Sequence, residues 1–166
     1  MDKTSLFLNV IESNKGIIYK VANSYCKDAE DRKDLVQEII SQLWKSFDTY
    51  NDEYKLSTWM YRISLNTAIS FYRKEGSRQK ITQPLTDSIL SFSDNLEHEN
   101  KEAKFIQLQL FINDLREIDK AIMLLYLEDK SYKQIAETVG ITETNVATKI
   151  SRIKLDLKNK FSTLKF

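Results

Sequence analysis

Cysteine, proline, glycine and histidine are all scarce in this chain of 166 residues, and each scarcity removes a class of protein. Cys26 is the only cysteine, so no disulfide closes within the chain and a stapled secreted scaffold is excluded. His98 is the only histidine, and its neighbours Glu97 and Glu99 mark it as a solvated linker residue. Without further histidine or cysteine, neither a zinc ligand set nor a Ser-His or Cys-His pair can be assembled. A phosphate-cradling glycine loop is missing too. The expectation is a protein that is not an enzyme and uses no cofactor or metal. No window approaches the ~18 consecutive apolar residues of a membrane span, and the N-terminus lacks the basic segment, apolar run and cleavage site of a secretory leader. A cytoplasmic protein without membrane insertion is therefore expected.

One proline and three glycines leave little to interrupt helices, and Leu, Ile, Lys, Glu and Gln are abundant. An all-α protein follows, of a length between one ordinary domain and two small ones. The net charge of +1 argues against coating nucleic acid by bulk attraction. Distribution says more than the sum. From Thr142 onward Lys149, Arg152, Lys154, Lys158, Lys160 and Lys165 face only Glu143 and Asp156, whereas Thr86 to Glu102 holds Asp87, Asp94, Glu97, Glu99 and Glu102 against Lys101.

The stretch from Ser131 to Arg152 reads as helix, tight turn, helix, the shape that places a helix in the DNA major groove. Ser131 can cap the first helix, Ile135, Ala136 and Val139 form its buried stripe, and Gly140 supplies the positive φ that ends it. Thr142 caps a second helix. There Val146, Ile150, Ile153 and Leu157 recur at helical spacing and face inward, leaving Thr144, Asn145, Thr148, Lys149 and Arg152 outward. Lys149 and Arg152 have the reach for guanine edges or phosphates, Asn145 for adenine, and Thr144 and Thr148 for phosphate or a thymine methyl.

Upstream, Leu6, Val10, Ile17, Ile18, Val21 and Tyr25 mark one or two helices, with Asn14 to Gly16 as a possible break. The acidic residues from Asp28 to Asp31 suit the start of the next helix. That helix carries Leu35, Val36, Ile39, Ile40, Leu43, Trp44 and Phe47 as an apolar stripe and Asp34, Gln37, Glu38, Ser41 and Lys45 opposite. A polar, tyrosine-bearing loop from Asp48 to Leu56 precedes a helix from Trp59 to Lys74, with Ser57 or Thr58 as its expected cap. Trp59, Ile63 and Leu65 are read as core. Gly76, Pro84 and many polar residues up to Asn100 break the periodicity and read as a linker. Its scattered Ile81, Leu85, Ile89, Leu90 and Phe92 fit equally a docking segment on a partner or contacts with its own flanking domains. Two amphipathic helices follow, one on Phe105, Leu108, Phe111 and Leu115 and one on Ile118, Ile122, Leu125 and Leu127.

Three patches, in their order and spacing, resemble a bacterial sigma factor of the extracytoplasmic-function group of the sigma-70 family, over nearly the whole chain. They are Asp28-Ala29-Glu30-Asp31 leading to Asp34-Leu35-Val36-Gln37-Glu38-Ile39 with Leu43-Trp44, then Trp59-Met60-Tyr61-Arg62-Ile63 with Asn66, then the helix-turn-helix preceded by Leu124-Leu125-Tyr126-Leu127. The resemblance implies two small helical domains joined by a polar linker: residues 1–75 as a region 2-like domain, 76–103 as linker and 104–166 as a region 4-like domain. It implies a factor that binds core RNA polymerase and promoter DNA, directs initiation, and is commonly held inactive by an anti-sigma factor.

By the same resemblance, Asp34, Leu35, Gln37, Glu38 and Ser41 would dock on the clamp helices of the polymerase's largest subunit, where the carboxylates can accept charge-assisted hydrogen bonds. Asn51, Tyr54 and Lys55 in the loop, with Asn66, Ser70, Arg73 and Lys74 on the helix, would read the minus-ten element as single-stranded DNA, bases stacking on aromatic faces and cations following phosphates. Thr144, Asn145, Thr148, Lys149 and Arg152 would read the minus-thirty-five duplex. Ala147 stands where many relatives carry a basic residue, a departure from the family pattern. The competing reading is a two-domain helix-turn-helix regulator that binds operator DNA without polymerase. A protein-only helical adaptor, such as an antagonist of a sigma factor, would leave the recognition helix without a use.

Overall fold

The structure is a computed structural model that describes the backbone of residues 1–79 and 96–164, and the side chains of residues 1–75 and 101–164. Pro84, the apolar residues Ile81 to Phe92, the side chain of His98 and Lys165 lie outside the described residues. All regular structure among the described residues is helical: α1 (Lys3–Tyr25), α2 (Ala29–Ser46), a short 3-10 turn (Phe47–Thr49), α3 (Leu56–Gln79), α4 (Leu96–Asn113), α5 (Glu117–Leu127), α6 (Tyr132–Val139) and α7 (Glu143–Ser162).

Local chemistry sets most of these boundaries. The carboxylate of Asp28 accepts from the backbone N–H of Glu30 and of Asp31 at 3.1 and 3.0 Å, capping α2, and Glu30 and Asp31 complement the positive end of its dipole. Ser131 and Gln134 form a reciprocal capping box on α6, at 3.1 and 2.9 Å. Gly140 closes α6 at φ 82°, and Thr142 accepts from Asn145 N–H at 3.1 Å to open α7. Two expectations need correction. Helix α1 is continuous through Asn14 to Gly16: the Asn14 amide donates to the Val10 carbonyl at 2.9 Å, and burial of Ile18, Val21 and Ala22 just beyond outweighs the ~1 kcal/mol helix penalty of Gly16. Helix α3 begins at Leu56, before Ser57 and Thr58; the Trp59 N–H donates to the Lys55 carbonyl at 3.1 Å, so neither hydroxyl holds the cap position. Leu56 and Trp59 pack against the core and draw the first turn inward.

Helices α1, α2 and α3 pack as a bundle around Ile18, Val21, Leu35, Ile39, Leu43 and Met60. Each contributes about 1.5–3 kcal/mol on burial. Phe7 meets Trp44 and Phe47 edge to face at 5.0 and 5.2 Å, closing one end. In the second half, α5 crosses α6 and α7 through Ile122, Leu125, Ile135, Val146 and Ile150. Leu108, Phe111 and Leu115 of the α4 segment cover Met123, Ile153 and Leu157.

The halves touch where α3 meets α5 and α6. The Tyr25 hydroxyl donates to the Glu117 carbonyl at 2.7 Å. Lys120 sits between two rings, its Nζ 5.1 Å from the centroid of Tyr25 and 5.3 Å from that of Tyr72, an arrangement that offsets the desolvation which lowers its pKa. Lys20 and Glu128 pair at 2.6 Å on the rim. A cleft of about 470 Å³ opens beside this junction, lined among others by Cys26, Asp28, Asp31, Tyr72, Glu75 and Lys120. Burial, and then the charges of Asp31 and Glu75, push the Cys26 thiol up to about 11.

Two glycines test the backbone argument with opposite signs. An added Cβ meets nothing within 4 Å at either Gly16 or Gly140, so only conformation counts. Gly16→Ala should stabilise the fold by about 0.5–1 kcal/mol, and Gly140→Ala should destabilise it by about 1–2 kcal/mol, read as shifts of the urea midpoint in opposite directions. Cys26 should react with iodoacetamide at pH 8 at least about tenfold more slowly in the native chain than in urea, because the thiolate is the nucleophile; equal rates would contradict its burial.

Candidate nucleic-acid and partner interfaces

The outward face of α2 carries Asp34, Gln37 and Glu38 exposed and Ser41 half-buried. Leu35 is a correction: it is fully buried in the bundle core and cannot touch a partner. With Ile39 and Leu43 it anchors the helix from the inside, which makes the outer carboxylates a rigid acceptor array. Glu38 is already engaged on one side, its Oε1 accepting from the Gln42 amide at 2.8 Å.

The loop before α3 is shaped by its own polar groups. The Tyr50 hydroxyl donates to the Tyr54 carbonyl at 3.1 Å, and the Asn51 side-chain oxygen accepts from Glu53 N–H at 3.2 Å. Asp52 takes a positive φ of 59° at the tip, a conformation that Asp tolerates better than most residues. Tyr50 packs on Trp59 at 5.2 Å. Asn51 and Lys55 are exposed, and Tyr54 is half-buried under the Arg62 guanidinium, 5.9 Å from its ring. Leu65 is buried, with Trp59 and Ile63 packed against the core, as their spacing predicts.

Farther along α3, Asn66, Ser70 and Lys74 line one groove with Glu38 and Gln42 of α2, of about 530 Å³. Asn66 stands eleven positions after Lys55, which immediately precedes α3, or roughly 16 Å of rise along the helix. The loop set at the start of α3 and the set farther along that helix are therefore two separate stations rather than one pocket. Arg73 is not part of the groove lining; its Nε lies 3.8 Å from Glu117 Oε1 in the other half. Sequence reasoning placed Glu38 and Asn66 on separate tasks, and only the packing of α2 on α3 brings them together. It also missed Gln42 and Arg62, which the i, i+4 spacing of Glu38 with Gln42 and the Tyr61-Arg62 pair could have signalled.

On α7 the structure leaves Thr144, Asn145, Thr148 and Arg152 exposed. Ser151 and Leu155 share that surface, Leu155 at 60% exposure. Lys149 stands apart, half-buried, with its Nζ 3.4 Å from Oδ1 of Asp119. The α7 N-terminus, capped by Thr142 and exposed, also offers free backbone N–H groups to a phosphate. Among the described residues no cluster of His, Cys, Asp and Glu could hold a metal ion, and no helix is long and apolar enough to cross a membrane. The surfaces present stacking rings, amides, cations and acceptor carboxylates, which is the chemistry of recognition.

Comparison with known proteins finds two family profiles along the chain. The sequence profile of sigma-70 region 2 matches residues 10–78, and that of sigma-70 region 4 matches residues 105–157. The RNA polymerase sigma factor SigV of Bacillus subtilis is 31% identical over 150 residues, covering 89% of this chain and 86% of its own. An ECF RNA polymerase sigma-E factor of Haemophilus influenzae is 28% identical over 144 residues, covering 81% and 76%. In fold, the chain is similar to CnrH in its complex with the cytosolic domain of CnrY, at a TM-score of 0.69 and 15% identity over 98% of this chain and 92% of that one. It is also similar to the sigma factor RpoE of Bartonella quintana in complex with the anti-sigma factor NepR, at 0.65 and 18% over 98% of both chains.

Proposed function

This chain belongs to the extracytoplasmic-function group of the sigma-70 family, and on that premise we propose how its surfaces share the work of a sigma factor. It binds core RNA polymerase and directs promoter-specific initiation of transcription. The observation that carries this is the succession of region 2 and region 4 matches on the two helical halves. An operator-binding regulator would leave the first of them without a role.

Residues 1–75 act as the region 2 domain, 76–103 as the linker and 104–166 as the region 4 domain. Asp34, Gln37, Glu38 and Ser41 dock on a basic surface of the polymerase; their exposure on a helix anchored by Leu35 supports this. Asn51, Tyr54 and Lys55, then Asn66, Ser70, Arg73 and Lys74, follow the separated strand of the minus-ten element, one station in the loop before α3 and one along it suiting an extended strand. Thr144, Asn145, Thr148 and Arg152 read the minus-thirty-five duplex from the exposed face of α7. An anti-sigma factor is a further partner, a reading supported by the two structurally similar proteins, one seen with the anti-sigma factor NepR and the other with the cytosolic domain of CnrY. The chain works in the cytoplasm and catalyses no reaction of its own.

The test is retention of core RNA polymerase by the tagged protein, followed by transcription from genomic fragments with the reconstituted complex. The parent should bind and produce new start sites. The double variant Gln37→Ala with Glu38→Lys should lose at least about tenfold in polymerase affinity, since it removes an acceptor and reverses a charge at a polar contact. Undiminished binding would remove the α2 face from the interface, and tight sequence-selective duplex binding without any polymerase affinity would favour the operator-binding regulator.

A further inference from the structure

Lys149 lies within the polar run of α7 but does not share its direction. At roughly 100° per residue, Thr144, Thr148, Ser151 and Leu155 fall on one outward strip with Asn145 and Arg152 on its edge, while Lys149 falls on the flank. There its Nζ lies 3.4 Å from Oδ1 of Asp119 in the first turn of α5, and the second oxygen, Oδ2, lies 3.3 Å from Nη2 of Arg116. The Asp119 side chain is only 13% exposed and that of Lys149 29%, against 76% for Arg116. Immediately alongside, Val146 and Ile150 of α7 are buried in one cluster with Ile122 of α5. The ion pair thus spans the seam between the two helices next to its apolar contacts.

We propose that Asp119 is a positioning residue for promoter recognition: it holds Lys149 as a brace between α5 and α7, setting the roll of α7 so that Thr144, Thr148, Ser151 and Arg152 meet the duplex while Lys149 makes no DNA contact. The inference rests on the reading of α7 as the duplex-reading helix. Apolar side chains along the seam resist separation of the helices but resist rotation weakly, because their contacts are not directional. A directional ion pair at the edge of the seam supplies that restraint. Drawing Lys149 away to a phosphate would leave a largely buried carboxylate with one exposed arginine, so the exchange is unfavourable. Ser151 joins the reading set in its place.

The experiment uses the full chain bound to core RNA polymerase, on promoter DNA with the minus-thirty-five element intact or scrambled, across a range of salt. A lost phosphate contact lowers the slope of log affinity against log salt by about one. Lys149→Met should leave the slope and the core-polymerase affinity unchanged while reducing the preference for the intact element about fivefold. Lys149→Asp should reduce it further by facing one carboxylate with another, and adding Asp119→Lys should restore it to within about threefold of the parent. A slope lowered by about one in Lys149→Met, or a swapped pair as weak as Lys149→Asp alone, overturns the brace. Arg152→Ala separates the two levels: if it loses the preference, such a failure concerns the brace alone, and if it changes nothing, the reading of α7 itself falls.

Discussion

Helix α3 is packed on two sides, and the rest of the structure depends on that constraint. One side closes the N-terminal bundle through Met60, Leu65 and Ala68, and another meets α5 and α6, where Tyr61 is buried beneath Lys130 and Tyr72 bounds the site of Lys120. What remains of its circumference is a narrow strip bearing Arg62, Asn66, Ser70 and Lys74. Polar and cationic side chains occupy the strip because nothing covers it, and mainly apolar ones, with Thr58 and Ser64 among them, fill the remainder because both halves do. The candidate strand-binding surface and the junction between the halves are thus set by a single helix.

The elements whose limits are written in adjacent residues were legible in the sequence. The Ser131 and Gln134 box, the Gly140 stop, the Thr142 cap and the Val146 to Leu157 stripe all act within a turn or two of themselves, so their chemistry needs no tertiary context. Asp28 at the start of α2 is of the same kind. The continuity of α1 through Gly16 and the early start of α3 were not legible, since in both places packing of Ile18 or Leu56 overrides a local preference. Leu35 is a different case: its place on the apolar stripe with Val36 and Ile39 already sets it inward, and the resemblance alone assigns it to the partner surface. The groove shared by Glu38 and Asn66, and the pairing of Lys149 with Asp119, join residues far apart in the chain, for which periodicity carries no information.

Electrostatics follow a related pattern. The net charge of +1 conceals cations that are already matched within the chain: Lys149 with Asp119, Arg73 near Glu117 and Lys20 with Glu128. Each matched cation contributes less to counterion release from DNA than a free one. On the proposed function, a factor arranged in this way would draw its DNA affinity from its complex with polymerase and contribute chiefly selectivity itself. The exposed acceptors of α2 fit that division, because affinity for a basic protein surface does not also raise affinity for DNA.

The junction between the halves adds polar contacts to the apolar cluster that passes through it. Tyr25 and Tyr72 present rings to Lys120, and the Tyr25 hydroxyl reaches the Glu117 carbonyl; each group has a polar end that water can also satisfy. The centres of the halves are mainly aliphatic, with Ser64 a fully buried exception. Ile18, Leu35, Ile39 and Leu43 are held by α1 to α3, while Met123, Ile153 and Leu157 form a cluster of their own under Leu108, Phe111 and Leu115. Hydrogen bonds, an ion pair and a cation between two rings thus border an apolar cluster that runs without a break from α1–α3 into α5–α7. The polar contacts exchange with water at far lower cost than a buried leucine, so the apolar cluster shared by the halves, rather than its polar border, holds the two recognition surfaces in register.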